Sequence, residues 1–267
     1  MARETIRVMV TVKAYPTLSK KYDETVCVAG IRVDTARPEH VRLFPVPFRD
    51  LEKAKQFRKY DVIEVDVEPH DPRKDNRPES LRPRLDTLKV VGHISSARGW
   101  AERAAYVRPL VAPSLCEIKR EQARNGTSLG VFRPGEVLDF TLEPASERPE
   151  AVEMMANQMH LFDPERKKLE HLPYRFMYRF RCAEAGCPSH RIGLVDWEAG
   201  ASYLDWRRRY PPEELPAKLK QKWFHEIAGP GHDVHFFVGN LHKRPQQFML
   251  LGIFYPPVGV MDQDTLF

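Results

Sequence analysis

The chain lacks the signatures of the common nucleotide-hydrolysing and redox enzymes. It has no G-x-x-x-x-G-K-[ST] loop, no G-x-G-x-x-G after a strand and no G-x-S-x-G elbow. Each of those motifs supplies a backbone cradle or a strained turn that its chemistry requires, so triphosphate hydrolysis and Rossmann redox chemistry are not expected. No apolar run approaches the ~20 residues that span a bilayer, which argues against a membrane partner. The opening "MARETIRVMVTV" carries charge but no apolar core with a cleavage site, so no signal peptide is read and a cytoplasmic location is expected. Cysteine is scarce. Cys27, Cys116, Cys182 and Cys187 are scattered except for the last pair, a pattern that suits a reducing compartment in which neighbouring cysteines bind metal more often than they form disulfides. There is no fixed-period repeat and no low-complexity tract.

What is present bounds the fold. The 267 residues suffice for one large domain or two of ordinary size. Hydrophobic residues at 42% supply a core, and 30% charged residues suit a solvated surface. The 23 prolines favour short strands and loops over long helices. Net charge is +5. Residues 1–150 carry 27 Lys and Arg against 23 Asp and Glu, and residues 151–267 carry 15 against 14. A modest basic excess fits a polyanionic partner without demanding one.

Strands dominate the first ~95 residues. "TIRVMVTVKAY", "TVCVAGIRV", "VRLFPV", "DVIEVDVE" and "TLKVVGHI" read as alternating or apolar strands. The stretch "PHDPRKDNRPESLRPR", residues 69–84, reads as an exposed loop. Two helical patches follow, one with Trp100, Ala104 and Val107 on a stripe, the other with Ser114 and Glu117 at capping-box spacing and Asn125-Gly126 at its end. Residues 129–144 return to strand. In the second half a short helix is expected at "EAVEMMANQMHLF", strands at 172–182 and "RIGLVDWE", a helix over roughly 213–228, and a closing hairpin of "DVHFFVGN" and "QFMLLGIFYPP". The fold class is α+β. A β-rich unit, residues 1–145 with a helical insertion, precedes a smaller α+β module, residues 146–267.

Residues 24–51, "ETVCVAGIRVDTARPEHVRLFPVPFRDL", add a resemblance. Cys27, Val28, Ala29 and Gly30, and Arg42 followed by Pro45, resemble the opening of the dual OB-fold domain proteins of prokaryotes. That resemblance implies an OB-like barrel for the first unit, a fold often used for oligonucleotides, although fold alone does not assign function. The spacing before Pro45 departs from the family pattern, and the second half has no recognisable counterpart.

Cys182, Cys187 and His190 are spaced C-x4-C-x2-H, with Gly186 and Pro188 between them. Thiolate and imidazole are the ligands that zinc prefers, and such a zinc-knuckle-like loop can bring their heads together. The fourth ligand is open among Asp196, His225, His232, His235 and His242. Just before this cluster, "YRFMYRFRC" places Tyr174, Phe176, Tyr178, Phe180 and Cys182 on one face of a strand and Arg175, Met177, Arg179 and Arg181 on the other. The aromatic face reads as core or as a stacking platform for bases, the basic face as solvated surface or as a phosphate contact. Arg73, Lys74, Arg77, Arg207, Arg208, Lys243 and Arg244 add basic loop positions, so nucleic acid, DNA or RNA, is the leading partner.

Two other functions stay open. Asp196 and Glu198 stand two apart at an expected strand end and, with His225, His235 and His242, could hold Mg²⁺ or Mn²⁺ for a metal-dependent nuclease. The aromatic C-terminal segment could instead pack on a protein partner or a second copy of the chain.

Overall fold

The computed structural model describes residues 3–19, 23–146 and 169–262. The first unit contains β1 (Glu4–Lys13), β2 (Thr17–Ser19), β3 (Asp23–Arg32), β4 (Glu39–Val46), β5 (Asp61–Pro69), β6 (Ser80–Pro83) and β7 (Lys89–His93). The order β1-β3-β4-β6-β5, with β5 pairing back to β1, closes a five-stranded barrel. The β4–β6 pair is parallel and the other barrel pairs are antiparallel. Closure leaves no free edge among the barrel strands, and the fold is OB-like, as the resemblance implied.

Sequence pattern accounts for most of these strands. In β5 the buried positions alternate strictly, so Ile63, Val65 and Val67 fill the barrel. β1 is buried on both faces. Ile6, Val8 and Val10 point into the barrel, while Met9 and Val12 join a second core against the rest of the chain, with a register shift between Val10 and Val12. The expected loop at 69–84 contains β6, a strand of four residues that meets β4 over Arg42↔Ser80 and Leu43↔Leu81. So short a strand carries too few alternations to stand out from its proline-rich surroundings.

The described part of the rest begins with α1 (Ala101–Val107), which buries Ala104 and Val107, and α2 (Leu115–Asn125). Ser114 caps α2 by accepting from the Glu117 amide at 2.9 Å, and Gly126 at φ +82° ends it, as the capping-box spacing and the Asn-Gly stop predict. The second sheet comprises β8 (Val111–Ala112), β9 (Leu129–Phe132), β10 (Glu136–Pro144), β11 (Tyr174–Arg181), β12 (His190–Leu194), β13 (His235–Leu241) and β14 (Arg244–Phe254). Its order is β10-β11-β12-β14-β13-β9-β8.

Only residues 133–135 separate β9 from β10. If they are taken as one bent strand, the second sheet repeats the strand order of the first barrel, with β12–β14 as its parallel pair. Gly135 makes the bend possible, because a Cβ there would stand 2.6 Å from the Ala183 nitrogen. Between the third and fourth strands lie α3 (Trp197–Trp206) and α4 (Leu215–Lys220), the latter continued by a wider turn over Gln221–Glu226. The second unit therefore combines sheet and helices, and the sheet is itself rolled. The boundary placed at 145/146 falls in the connection between β10 and β11. The helix expected at "EAVEMMANQMHLF" lies outside the described residues.

One expected strand is corrected. The segment read as "RIGLVDWE" leaves the sheet after Leu194, and Asp196 caps α3 by accepting from the Glu198 amide at 2.8 Å. An aspartate two residues before a carboxylate is a helix-start signal that the apolar run upstream obscures.

A shared apolar core joins the barrels. Met9, Ile31, Tyr60 and Val107 meet Val131, Phe237, Leu251 and Phe254, and each such side chain contributes roughly 1.5–3 kcal/mol on burial. This corrects the expectation that the C-terminal aromatic segment packs on a partner, because Phe248, Leu250, Ile253 and Phe254 are buried within the chain's own cores.

Candidate metal centre and nucleic-acid interface

Strand β11 ends at Arg181, and the chain turns through residues 183–189 into β12. Gly186 (φ +79°) and Ser189 (φ +68°) take left-handed conformations in that turn. The turn gathers Cys182, Cys187 and His190, and α2 adds Cys116 from its first turn. The four ligand atoms lie within 4.8 Å of one another. Cys116 Sγ stands 4.0 Å from Cys187 Sγ and 3.3 Å from His190 Nε2, and Cys187 Sγ stands 3.4 Å from His190 Nε2. A tetrahedron with zinc–sulfur bonds of ~2.3 Å and zinc–nitrogen bonds of ~2.05 Å has edges of about 3.8 Å between sulfurs and about 3.6 Å between sulfur and nitrogen. The side chains present therefore fit zinc, and with four protein ligands the set is closed, as in a structural site.

The surroundings hold this geometry. Glu184 accepts from the cap hydroxyl of Ser114 at 2.6 Å and from Arg120 at 2.7 Å, tying the loop to α2. The Cys182 amide donates to Cys187 Sγ at 3.3 Å. Burial, with Cys182 and Cys187 beside it, pushes the Cys116 thiol up to about 12. Burial, reinforced by Lys119, lowers His190. A dication reverses the first effect, since a coordinating thiol is deprotonated outright.

Three members of this cluster, Cys182, Cys187 and His190, are those that the sequence spacing picks out, and the structure adds Cys116. Its signal is a thiol in the first turn of a capped helix, where the N-terminal dipole favours a thiolate. The candidates proposed for that place are engaged elsewhere. Asp196 meets Lys59, His232 Nδ1 meets the Glu226 carbonyl at 2.9 Å, and His235 Nδ1 meets the Asp233 carbonyl at 3.0 Å. His242 Nδ1 lies 3.5 Å from Asp75, and the His225 ring packs on Phe224.

The aromatic–arginine strand divides as alternation predicts, except that Met177, placed with the arginines, is buried. Phe176, Tyr178 and Phe180 are buried, and Tyr178 donates to the Trp223 carbonyl. They are core residues and offer no platform to a base. Arg175, Arg179 and Arg181 are exposed on the outer face. Arg191 of β12 lies opposite Arg179 and is also exposed. Glu143 pairs with Arg175 at 3.3 Å and also with Arg191. Among the described residues Arg179 and Arg181 form no ion pair, although Asp139 and Glu136 of β10 stand opposite them and Asp139 is held by Lys220 at 2.7 Å, so four guanidinium groups share this sheet face with three carboxylates.

The remaining basic positions disperse. Arg73 is held by Asp71 at 3.1 Å, and Arg77 by Asp75 at 2.8 Å. Lys74, Arg77 and Lys243 line one cavity between the barrels. Arg207 pairs with Glu170, Arg208 lies beside Tyr15 in a separate shallow groove, and Arg244 reaches Gln247 at 3.5 Å.

Asp196 and Glu198 do come together, but around a lysine. Lys59 Nζ stands 2.5 Å from Asp196 and 3.1 Å from Glu198. Against the burial that disfavours its charge, these carboxylates hold Lys59 above its ordinary range. The ammonium takes the place that a divalent cation would need. Among the described residues, no histidine joins the pair in a metal-binding group, and the Cys/His cluster is the sole such group.

Residues 111–267 match a family described as Domain of unknown function (DUF8757), and residues 4–109 match one described as Domain of unknown function (DUF8758). The first match takes in more than half of the chain, which belongs to that family. No curated protein matches it. Among solved structures it is similar to a murine DNA-binding protein bound with double-stranded DNA, at 10% identity and a TM-score of 0.29, over 94% of this chain and 97% of that one. It is also similar to the HINb domain of p204, at 10% identity and a TM-score of 0.33, over 96% and 97%. Neither likeness carries an argument about this chain. No helix among the described residues is long and apolar enough to cross a membrane.

Proposed function

We propose that this member of the family binds nucleic acid on the outer face of its second barrel, with a structural zinc ion held by Cys116, Cys182, Cys187 and His190 at the end of the strand pair that forms that face. One observation carries the proposal. Arg175, Arg179, Arg181 and Arg191 are exposed together on β11 and β12, with Arg179 directly opposite Arg191. Like charges facing each other across a sheet destabilise it by roughly 0.2–1 kcal/mol; Asp139, opposite Arg179 on β10 but shared with Lys220, offsets part of that cost, and a polyanion removes the rest. β11 and β12 are the second and third strands of the rolled sheet, the face on which OB barrels carry oligonucleotides. Because the aromatics of β11 are buried, contact is through backbone phosphate and does not depend on base sequence.

The test is a fluorescence-anisotropy titration of labelled single- and double-stranded DNA and RNA across a salt series. Wild type is compared with a triple variant, Arg175→Gln, Arg179→Gln and Arg181→Gln. Each phosphate contact contributes about 0.7–0.9 to the salt slope, so the variant slope should fall by roughly 2–3. An unchanged slope and affinity would show the arginines to be a solvated face.

A further inference from the structure

The cavity between the two barrels has a volume of about 740 Å³, well within the range that holds small molecules. Its walls come from both units. The first barrel gives the connection between its fourth and fifth strands, residues 70–79, and the second gives the hairpin turn between β13 and β14. In an OB barrel both connections are of the kind that reaches ligand, and here they border one space.

Three side chains that line this cavity each carry a buried polar atom with no partner among the described residues. Arg42 is 1% exposed and Asn240 is 5% exposed, and both line it. Arg42 spends its terminal nitrogens on Ser128, at 2.6 and 2.9 Å, and its Nε is orphaned. Asn240 Nδ2 donates to the Pro245 carbonyl at 3.0 Å, and its Oδ1 is orphaned. His70 hydrogen-bonds the backbone of Phe44, and its Nε2 is orphaned. A buried orphan of this kind is costly and rare, and three around one cavity mark a surface built for something that folding alone does not supply. They offer one donor beside two acceptors, the mixed pattern of a nucleobase edge.

The rest of the cavity fits the same ligand. Phe44 and Pro45 form an apolar wall of the kind on which a base lies flat. Lys74 and Arg82 from the first barrel and Lys243 from the second are exposed cations at its border. Five cations, Arg42, Lys74, Arg77, Arg82 and Lys243, line it against three acids, Glu68, Asp71 and Asp75, of which Asp71 is held by Arg73 and Asp75 by Arg77 and Ser80. Arg42 itself has no carboxylate within ion-pair distance among the described residues, so the cavity favours an anion.

We infer that the inter-barrel cavity is a pocket for one nucleotide, its base between the Phe44–Pro45 wall and the Arg42, His70 and Asn240 side chains, its phosphate at Lys74, Arg82 and Lys243. The choice of a nucleotide rests on the nucleic-acid reading above. The same chemistry could come from a free nucleotide or from the end of a strand.

Isothermal titration of the full chain with AMP, GMP, CMP, UMP and their deoxy forms tests the free source. Competition by linear against circular single-stranded DNA tests the strand end. The variants are Lys74→Glu with Lys243→Glu, both exposed and in no ion pair among the described residues, and Leu241→Trp, which narrows the cavity. Each is first checked for wild-type melting. Binding of a free nucleotide, or a preference for linear over circular DNA, that either variant weakens about tenfold or more supports the pocket. Arg179→Gln with Arg181→Gln should leave that binding intact, so the pocket and the outer face fail separately. The inference is overturned if no nucleotide binds and circular DNA competes as well as linear, or if the cavity variants leave both unchanged.

Discussion

Replacing Cys116 with serine is expected to abolish binding of the proposed zinc and to cost on the order of 10 °C of thermal stability. A metal that joins Cys116 to Cys187 ties together residues 71 positions apart. By the loop-entropy relation for cross-links, a constraint of that length is worth about 4 kcal/mol. For a chain of this size each kcal/mol moves the midpoint by roughly 2–4 °C. The assay is metal content by elemental analysis, with thermal unfolding followed by circular dichroism with and without a strong chelator. Wild type with chelator should fall to the Cys116→Ser midpoint, and Cys116→Ser should ignore the chelator. Cys27→Ser is the control, since Cys27 lies outside the cluster and its loss should leave the metal in place. If Cys116→Ser kept one zinc per chain and melted with wild type, the fourth ligand and the loop arithmetic would both be wrong.

Asp196→Ala should destabilise by about 3–5 kcal/mol in urea, because it leaves the buried Lys59 ammonium only the exposed Glu198 and uncaps α3. Lys59→Met with Asp196→Leu should recover much of that loss, and a near-silent Asp196→Ala would mean that the pair is solvated. Stability should also fall with acid through one named group. Burial, opposed by Glu79 and reinforced by Arg42, lowers His40 to about 4, and its Nε2 is buried without a partner among the described residues. Since the unfolded chain takes up that proton near pH 6.5 and the folded one only near 4, stability is full above about 6.5 and is lost as the pH falls between the two. His40→Gln should flatten the curve of midpoint against pH over that window, and an unflattened curve would refute the assignment.

How much of this was legible depended on how far each feature reaches along the chain. The alternation in β5 and β11, the caps of α2 and the outward arginines are set by neighbours a few residues apart, so they can be read from the sequence. Cys182, Cys187 and His190 are equally local. Cys116 is not, because no spacing rule connects a helix start to a turn so far away. β6 was hidden for a different reason, being too short to show a period. The order of the second sheet escaped because its first strand bends at Gly135 and its third and fourth strands are separated by α3 and α4. Asp196 illustrates the opposite hazard. A carboxylate pair at the end of an apolar run looks like a cation site until a buried lysine, 137 positions away, is found between its oxygens.

The two barrels share an order of strands and differ in how the parallel pair is secured, which explains why only the second carries a metal-binding group among the described residues. In the first barrel β4 and β6 meet over two register pairs, and the join is reinforced. The Arg42 amide of β4 donates to the Glu79 carbonyl, next to β6, at 2.8 Å. In the second, β12 is five residues long and meets β14 at the single register pair Leu194↔Leu250. Its other neighbour is β11, and that pairing sets Arg179 against Arg191. A strand so short, held on one side by one pair and burdened on the other by like charges, needs an anchor at its start. His190 is its first residue, and the proposed zinc would fix it to the end of β11 through Cys182 and to α2 through Cys116. The site also lies where bound nucleic acid would relieve the same repulsion, so metal and polyanion would stabilise one strand pair from its end and from its face.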